Sequence, residues 1–176
     1  LDDGFLSSDL SGSFVLEGAL SSLMPPDQRA FFGDTSALEA KFSLPSEGGF
    51  EVESLVLNSG ALSANARLIR QADGFIPLVD VSAKLALPDG MPVVIPGPTL
   101  SSSLRQADLQ LQFDAAQSDR WIGSAQIGDL RTEQMFVPSV TLNAGGTVSA
   151  VDAAGGRAIT FDGDAIAQAI DAVDDE

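Results

Sequence analysis

The sequence predicts an all-β protein: an elongated curved sheet, taco-like or β-helix-like with an open groove, carrying two short helices. Three observations predict it. Apolar residues recur at every second position through most of the chain. Turn residues interrupt that alternation at intervals of about 8–12 residues, as all-β folds tend to do. Charged residues make up only 19% of the chain, below the roughly 25% of an average soluble domain, and Ser, Ala, Gly and Asp fill the remainder. With 176 residues, 44% of them hydrophobic, the chain is long enough for one domain with a sizeable core. It reads as a single β-rich unit over residues 1–176, cut from a longer chain, because Leu1-Asp2-Asp3-Gly4 offers neither an initiator Met nor a basic leader.

The elements follow in order. Phe14, Leu16, Gly18 and Leu20 alternate with Val15, Glu17 and Ala19. Pro25 to Gly33 reads as a helix of about two turns, with Pro near its start and Gly past its end. Leu38, Ala40, Phe42 and Leu44 resume the alternation. In the next strand the apolar parity slips near Ser54, from Phe50 and Val52 to Leu55 and Leu57. A one-residue slip flips every side chain, so a bulge, or a strand wetted on neither face, is expected there. Leu62 to Leu68 and Val79 to Leu87 are regular strands, the second ended by Pro88-Asp89-Gly90. Met91 to Pro98 is apolar but broken by Pro, which confines it to an edge strand or a loop laid over apolar surface.

Leu109, Leu111 and Phe113 form a further strand, followed by Trp121 to Ile127 and by Val140 and Leu142 after Pro138. Ile159, Phe161 and Gly163 suggest a last strand. A second helix is expected from Asp164 to about Val173, where Ile166, Ala169, Ile170 and Val173 share a stripe. The total is roughly nine or ten strands.

Composition narrows the chemistry. His, Cys and Tyr are absent, so there is no thiolate nucleophile, no imidazole base and no usual zinc ligand set. Asp162-Gly163-Asp164 lacks the spacing of a calcium loop. Gly145-Gly146 and Gly155-Gly156 carry no phosphate-loop pattern. The chain is expected not to be an enzyme and to use no metal or cofactor. A net charge of −16 argues against nucleic acid and against docking on an anionic membrane face. No apolar run approaches the roughly 18–20 residues of a membrane-spanning helix.

Four blocks carry a resemblance. They are Pro25-Pro26-Asp27-Gln28-Arg29-Ala30-Phe31-Phe32-Gly33-Asp34, Leu55-Val56-Leu57-Asn58-Ser59-Gly60-Ala61-Leu62, Pro92-Val93-Val94-Ile95-Pro96 and Asp119-Arg120-Trp121. In order and spacing they resemble internal segments of TamB proteins from alphaproteobacteria, part of the wider AsmA-like group. The resemblance implies a periplasmic location within an inner-membrane-anchored protein. It also implies a long β-groove with an apolar lining, a TamA-like outer-membrane barrel as partner of the full-length protein, and a part in outer-membrane protein assembly and phospholipid transport. The N-terminal anchor and the barrel-docking region of that family have no counterpart in these blocks.

On this reading Leu38, Phe42, Leu62, Leu68, Val81, Leu85, Leu109, Leu111 and Phe113 are candidates to line a groove for phospholipid acyl chains. The plainer readings are that they pack an ordinary core, or the filled core of a structural or adhesin-like β-solenoid. A greasy trough suits a conduit: each CH₂ gains about 0.8 kcal/mol on leaving water, yet almost nothing relative to a bilayer. An anionic head group would need Arg29, Arg67, Arg70, Arg105 or Arg120 near the rim. Phe31 and Phe32 are expected to cap a core, and Trp121 to pack at a sheet boundary.

Overall fold

The computed structural model describes residues 8–26, 29–95, 102–151, 156–168 and 171–172. The protein is all-β, built on one open antiparallel sheet. Its long strands are β1 (Leu10–Gly18), β2 (Ser36–Leu44), β3 (Gly49–Asn58), β4 (Leu62–Gln71) and β5 (Leu78–Ala86). After the short β6 (Val93–Ile95) and β7 (Ser102–Leu104) come β8 (Gln106–Asp114), β9 (Arg120–Arg131), β10 (Met135–Thr147), β11 (Asp162–Gln168) and β12 (Asp171–Ala172). The order across the sheet is β1-β2-β3-β4-β5-β8-β9-β10-β11, with β12 on β10 and the β6–β7 hairpin to one side. Every pairing is antiparallel between neighbours in this order. The arrangement is therefore a meander and not a coil of parallel rungs, and β1 does not close onto β11.

The parity slip in β3 is a bulge. Against β4 the ladder jumps from Val52↔Leu68 to Leu55↔Ala66, and against β2 from Phe42↔Val52 to Lys41↔Ser54. Glu53 and Ser54 together oppose one residue, Arg67, so Phe50 and Val52 return to the face of Leu55 and Leu57.

Neither expected helix forms as the sequence suggested. From the first, a single turn remains, α1 (Arg29–Phe32), preceded by a 3₁₀ turn at Leu20–Leu23; Asp27 and Gln28 lie outside the described residues. The turn ends because its carbonyls are taken by the β3–β4 connection. Gly60 N–H donates to the Phe32 carbonyl at 3.0 Å and Ala61 N–H to the Phe31 carbonyl at 2.9 Å. Ser36 Oγ also donates to the Phe32 carbonyl, at 2.9 Å. Gly33 stops the turn with φ +66, and a Cβ there would sit 2.6 Å from the Gly60 Cα, so both conformation and space demand glycine.

The second helix is instead strand β11. Its alternate residues Ala165 and Ala167 face Leu142 and Val140 across the ladder. The stripe spacing of Ile166 and Ala169 fits a helix, but β10 offers a full row of backbone partners, and long-range pairing wins over a weak local preference. The strand expected around Ile159 and Phe161 begins three residues later than Ile159, which makes only an isolated bridge to Val148. Residues 169–170 and 173 lie outside the described residues.

No large filled core forms among the described residues. The best-buried cluster is Ala61, Val93, Leu104 and Ala107, with Phe31, Leu85, Leu87, Ile95, Ile127 and Leu130 packed against it. Here the Pro-broken segment does as its sequence suggests. β6 lies over apolar surface and buries Val93 to 1% exposure. Residues 96–98 of that segment lie outside the described residues.

Candidate functional site

Residues opposed in an antiparallel ladder carry their side chains on the same face. Followed strand to strand, the register draws one row through Leu38, Leu57, Ala64, Ala83, Leu109, Ala125 and Leu142. The neighbouring row runs Ala40, Leu55, Ala66, Val81, Leu111, Gly123 and Ala144. The next runs Phe42, Val52, Leu68, Val79, Phe113, Trp121 and Gly146. On the other side of the first, Leu62, Leu85, Ala107, Ile127 and Val140 make a fourth. Within these four rows no side chain is charged. All the groove candidates, namely Leu38, Phe42, Leu62, Leu68, Val81, Leu85, Leu109, Leu111 and Phe113, stand on this one face.

The opposite face is its chemical inverse. One of its rows reads Glu39, Val56, Asn65, Ser82, Gln110, Ser124, Asn143 and Asp164. Water solvates that face, and the apolar one must find cover or stay wet.

Cover is present at the two ends of the strands and thin between them. At one end α1 and the β6–β7 hairpin close over Ala107, Leu85 and Ile127. Phe31 packs there, edge-on to Phe32 with ring centroids 5.1 Å apart, so the pair caps a cluster. At the other end Phe75 meets Phe113 edge-on, with ring centroids at 6.4 Å. Arg157 lies over the Phe75 ring at 3.6 Å. Trp121 stacks at a tilt on Phe161, and its Nε1–H donates to the Thr160 carbonyl at 3.1 Å. Trp121 is thus a packing residue at the rim of the sheet.

Between these ends Leu109 and Leu111 lie on β8, beside the central strand β5, and remain 44% and 40% exposed. Leu142 is exposed as well. Leu38, Phe42, Leu62, Leu68, Val81 and Leu85 are half-buried, and Phe113 is buried. The candidates therefore share a face but not an environment: Leu85 and Phe113 belong to the covered ends, Leu109 and Leu111 to the open middle.

The arginines divide in the same way. Arg67 pairs with Asp80 in register, and Arg120 lies beside Trp121 in sequence, so both point to the polar face. Arg105 is held by Asp129, with Nε 2.8 Å from the carboxylate. Arg29 Nε donates to the Met24 carbonyl at 3.3 Å. Arg70, two positions beyond Leu68 and opposite Phe50, has the parity of the apolar face, as does Arg131, four positions beyond Ile127 on β9. Arg157 and Phe75, which close one end of that face, were not singled out from the sequence. Their contact spans more than 80 positions of sequence, and no local pattern encodes it.

Among the described residues no group of three or more Asp, Glu, His or Cys side chains gathers as metal ligands do. Asp164 accepts a hydrogen bond from the Asn143 amide at 3.2 Å. Fold and face together define a class: a one-faced, open antiparallel sheet whose special feature is a wet apolar surface. No family model, curated protein or solved structure matches the chain.

Proposed function

We propose that this chain is a non-enzymatic segment of a TamB-like envelope bridge. Its sheet curves into an elongated groove that shields phospholipid acyl chains on their way between the inner and outer membrane. The longer protein would be anchored in the inner membrane, would cross the periplasm, and would work with a TamA-like barrel in outer-membrane protein assembly. The observation that carries the reading is the exposure of Leu109 and Leu111, 44% and 40%, in the middle of an uncharged face. A chain that only needed a core would cover the middle of its sheet first. An acyl chain laid there gains about 0.8 kcal/mol per CH₂ against water and little against bilayer, so it is sheltered without being trapped. The membranes and the barrel rest on the sequence resemblance alone.

The test uses protein purified from the periplasm of a Gram-negative host. Native mass spectrometry followed by organic extraction should find bound phospholipid, and Leu109→Asp with Leu111→Asp should remove it while the sheet stays folded. A folded, lipid-free wild type would point to a structural module, the alternative reading of this sheet.

A further inference from the structure

The two ends of the apolar face differ in charge. At the end closed by α1 and the β6–β7 hairpin, Arg105 is neutralised by Asp129, 2.8 Å away. Arg131 lies over the Phe136 ring, at 4.3 Å. At the other end a cleft of about 590 Å³ separates the β4–β5 turn from the segment after β10. Phe75, Ile76, Val148, Val151 and Ile159 give it apolar walls.

Two arginines border this cleft. Arg157 lines it and lies over the Phe75 ring at 3.6 Å. Its Nη1 donates to the Ser149 carbonyl at 3.4 Å. Ring and carbonyl thus place the guanidinium, while its other N–H groups remain as donors. Arg70 stands one row beyond Leu68 on β4. Its Nη2 is 3.6 Å from where a Gly74 Cβ would be, and Gly74 belongs to the cleft wall. Among the described residues neither arginine is ion-paired. In a chain of 25 acidic and 9 basic residues, positive charge is therefore left unneutralised at this one end. Asp73 is the one acid in the lining, and its Oδ1 accepts the Phe75 N–H at 2.9 Å.

The cleft adjoins the exposed middle of the face. Phe75 meets Phe113, and Phe113, Leu111 and Leu109 share one face of β8. From Phe113 to Leu109 is roughly 14 Å along the strand. One leaflet of a bilayer, half of a hydrocarbon core about 30 Å thick, has nearly the same depth. An amphiphile with its anion at the arginines would lay one acyl chain over Leu111 and Leu109.

We propose that Arg70 and Arg157 bind the phosphate of a phospholipid head group at this cleft, with the tail directed along β8 toward Leu109. The site rests on the face being a groove for acyl chains, and it adds the head group and the orientation. A phosphodiester accepts charge-assisted hydrogen bonds from both guanidiniums. The opposite end has no comparable pair, so the lipid is held with its head group at the Phe75 end.

Equilibrium binding of two probes with the same acyl chains separates this site from the groove. Dioctanoylphosphatidylglycerol carries the phosphate and dioctanoylglycerol does not. Wild type should bind the first about tenfold more tightly or better, and salt should narrow the difference. Arg70→Gln with Arg157→Gln should erase the difference and leave dioctanoylglycerol binding unchanged. Arg120→Gln with Arg131→Gln, which removes the same charge elsewhere, should preserve it. Inorganic phosphate should not displace the phospholipid. Equal binding of the two probes to wild type would overturn the head-group site and leave the groove standing. Binding of neither would overturn both. Loss of the difference in the Arg120, Arg131 variant, or displacement by inorganic phosphate, would also reject the site. Should the Arg70, Arg157 variant fail to fold, Arg70→Gln alone decides: phospholipid binding should weaken roughly fivefold or more, and no loss contradicts the site.

Discussion

Ala83 and Leu109 face each other on the adjacent central strands β5 and β8, yet Leu109 keeps 44% of its surface in solvent. The small partner leaves the leucine without lateral cover, and nothing above replaces it among the described residues. The same pairing recurs where Leu109 meets Ala125, and where Leu111 meets Gly123. Leu111 also faces Val81 on its other side, so the middle of the apolar face mixes large residues with small ones.

Aspartate substitutions should separate the open middle from the covered end. Leu109→Asp and Leu111→Asp place a charge where water already reaches, so each should cost no more than about 1 kcal/mol of stability. Leu85→Asp buries a carboxylate against the Val93 and Leu104 cluster and should cost about 3 kcal/mol or more. Urea denaturation of the three variants checks both halves. Equal losses at all three positions would show that the middle is covered after all.

The bulge in β3 gives a deletion with an unusual outcome. Removing Glu53 leaves Phe50, Val52, Leu55 and Leu57 in regular alternation on one face, so the protein should keep its fold with a small change in Tm. Removing Ser82 from β5, which has no bulge, moves Val79 and Val81 to the polar face and should prevent folding. Circular dichroism and thermal melts of the two deletions compare them directly.

Gly33 should tolerate no side chain. At φ +66, with the Gly60 Cα already 2.6 Å from a would-be Cβ, Gly33→Ala should destabilise by about 1–3 kcal/mol. Gly18 has open space at the same test position, and Gly18→Ala should lie within about 0.5 kcal/mol of wild type. Thermal melts of the pair test the local geometry around α1.

Asp9 supplies a pH-dependent tether. Its carboxylate accepts a hydrogen bond from the Ser46 backbone N–H at 2.8 Å. That bond, with a further contribution from the Ser46 side chain, holds its pKa below the ordinary 3.8. A depressed carboxylate adds stability above the unfolded value and loses it as pH falls through the folded one. The tie between the start of β1 and the β2–β3 turn should therefore loosen in acid below 3.8. NMR titration of the Ser46 amide should follow the Asp9 carboxylate, and Asp9→Ala should remove the effect.

Much of this was legible in the residues, for a reason that is local. Period-two alternation assigns each strand a face without reference to its neighbours, so the groove candidates could be sorted before any pairing was known. The slip at Ser54 marked the bulge for the same reason. What was not legible depends on distant partners. Ile166 fits a helical stripe in the sequence, and the strand was chosen by pairing with β10, where Ile166 stands opposite Thr141. The carbonyls at the end of α1 are taken by Gly60 and Ala61 of the distant β3–β4 connection. Alternation also cannot tell a wet apolar face from a covered one, and so it grouped Leu85 with Leu111.

The most direct test of the central claim uses Trp121, the only tryptophan in the chain, which stands on the apolar face opposite Phe113 and two residues from Gly123. Titration with phospholipid brominated along its acyl chains should quench Trp121 emission in the wild type and leave it unchanged in the folded Leu109→Asp, Leu111→Asp variant. Quenching absent from the wild type, or equal in both proteins, would contradict an acyl chain lying along the middle of this face.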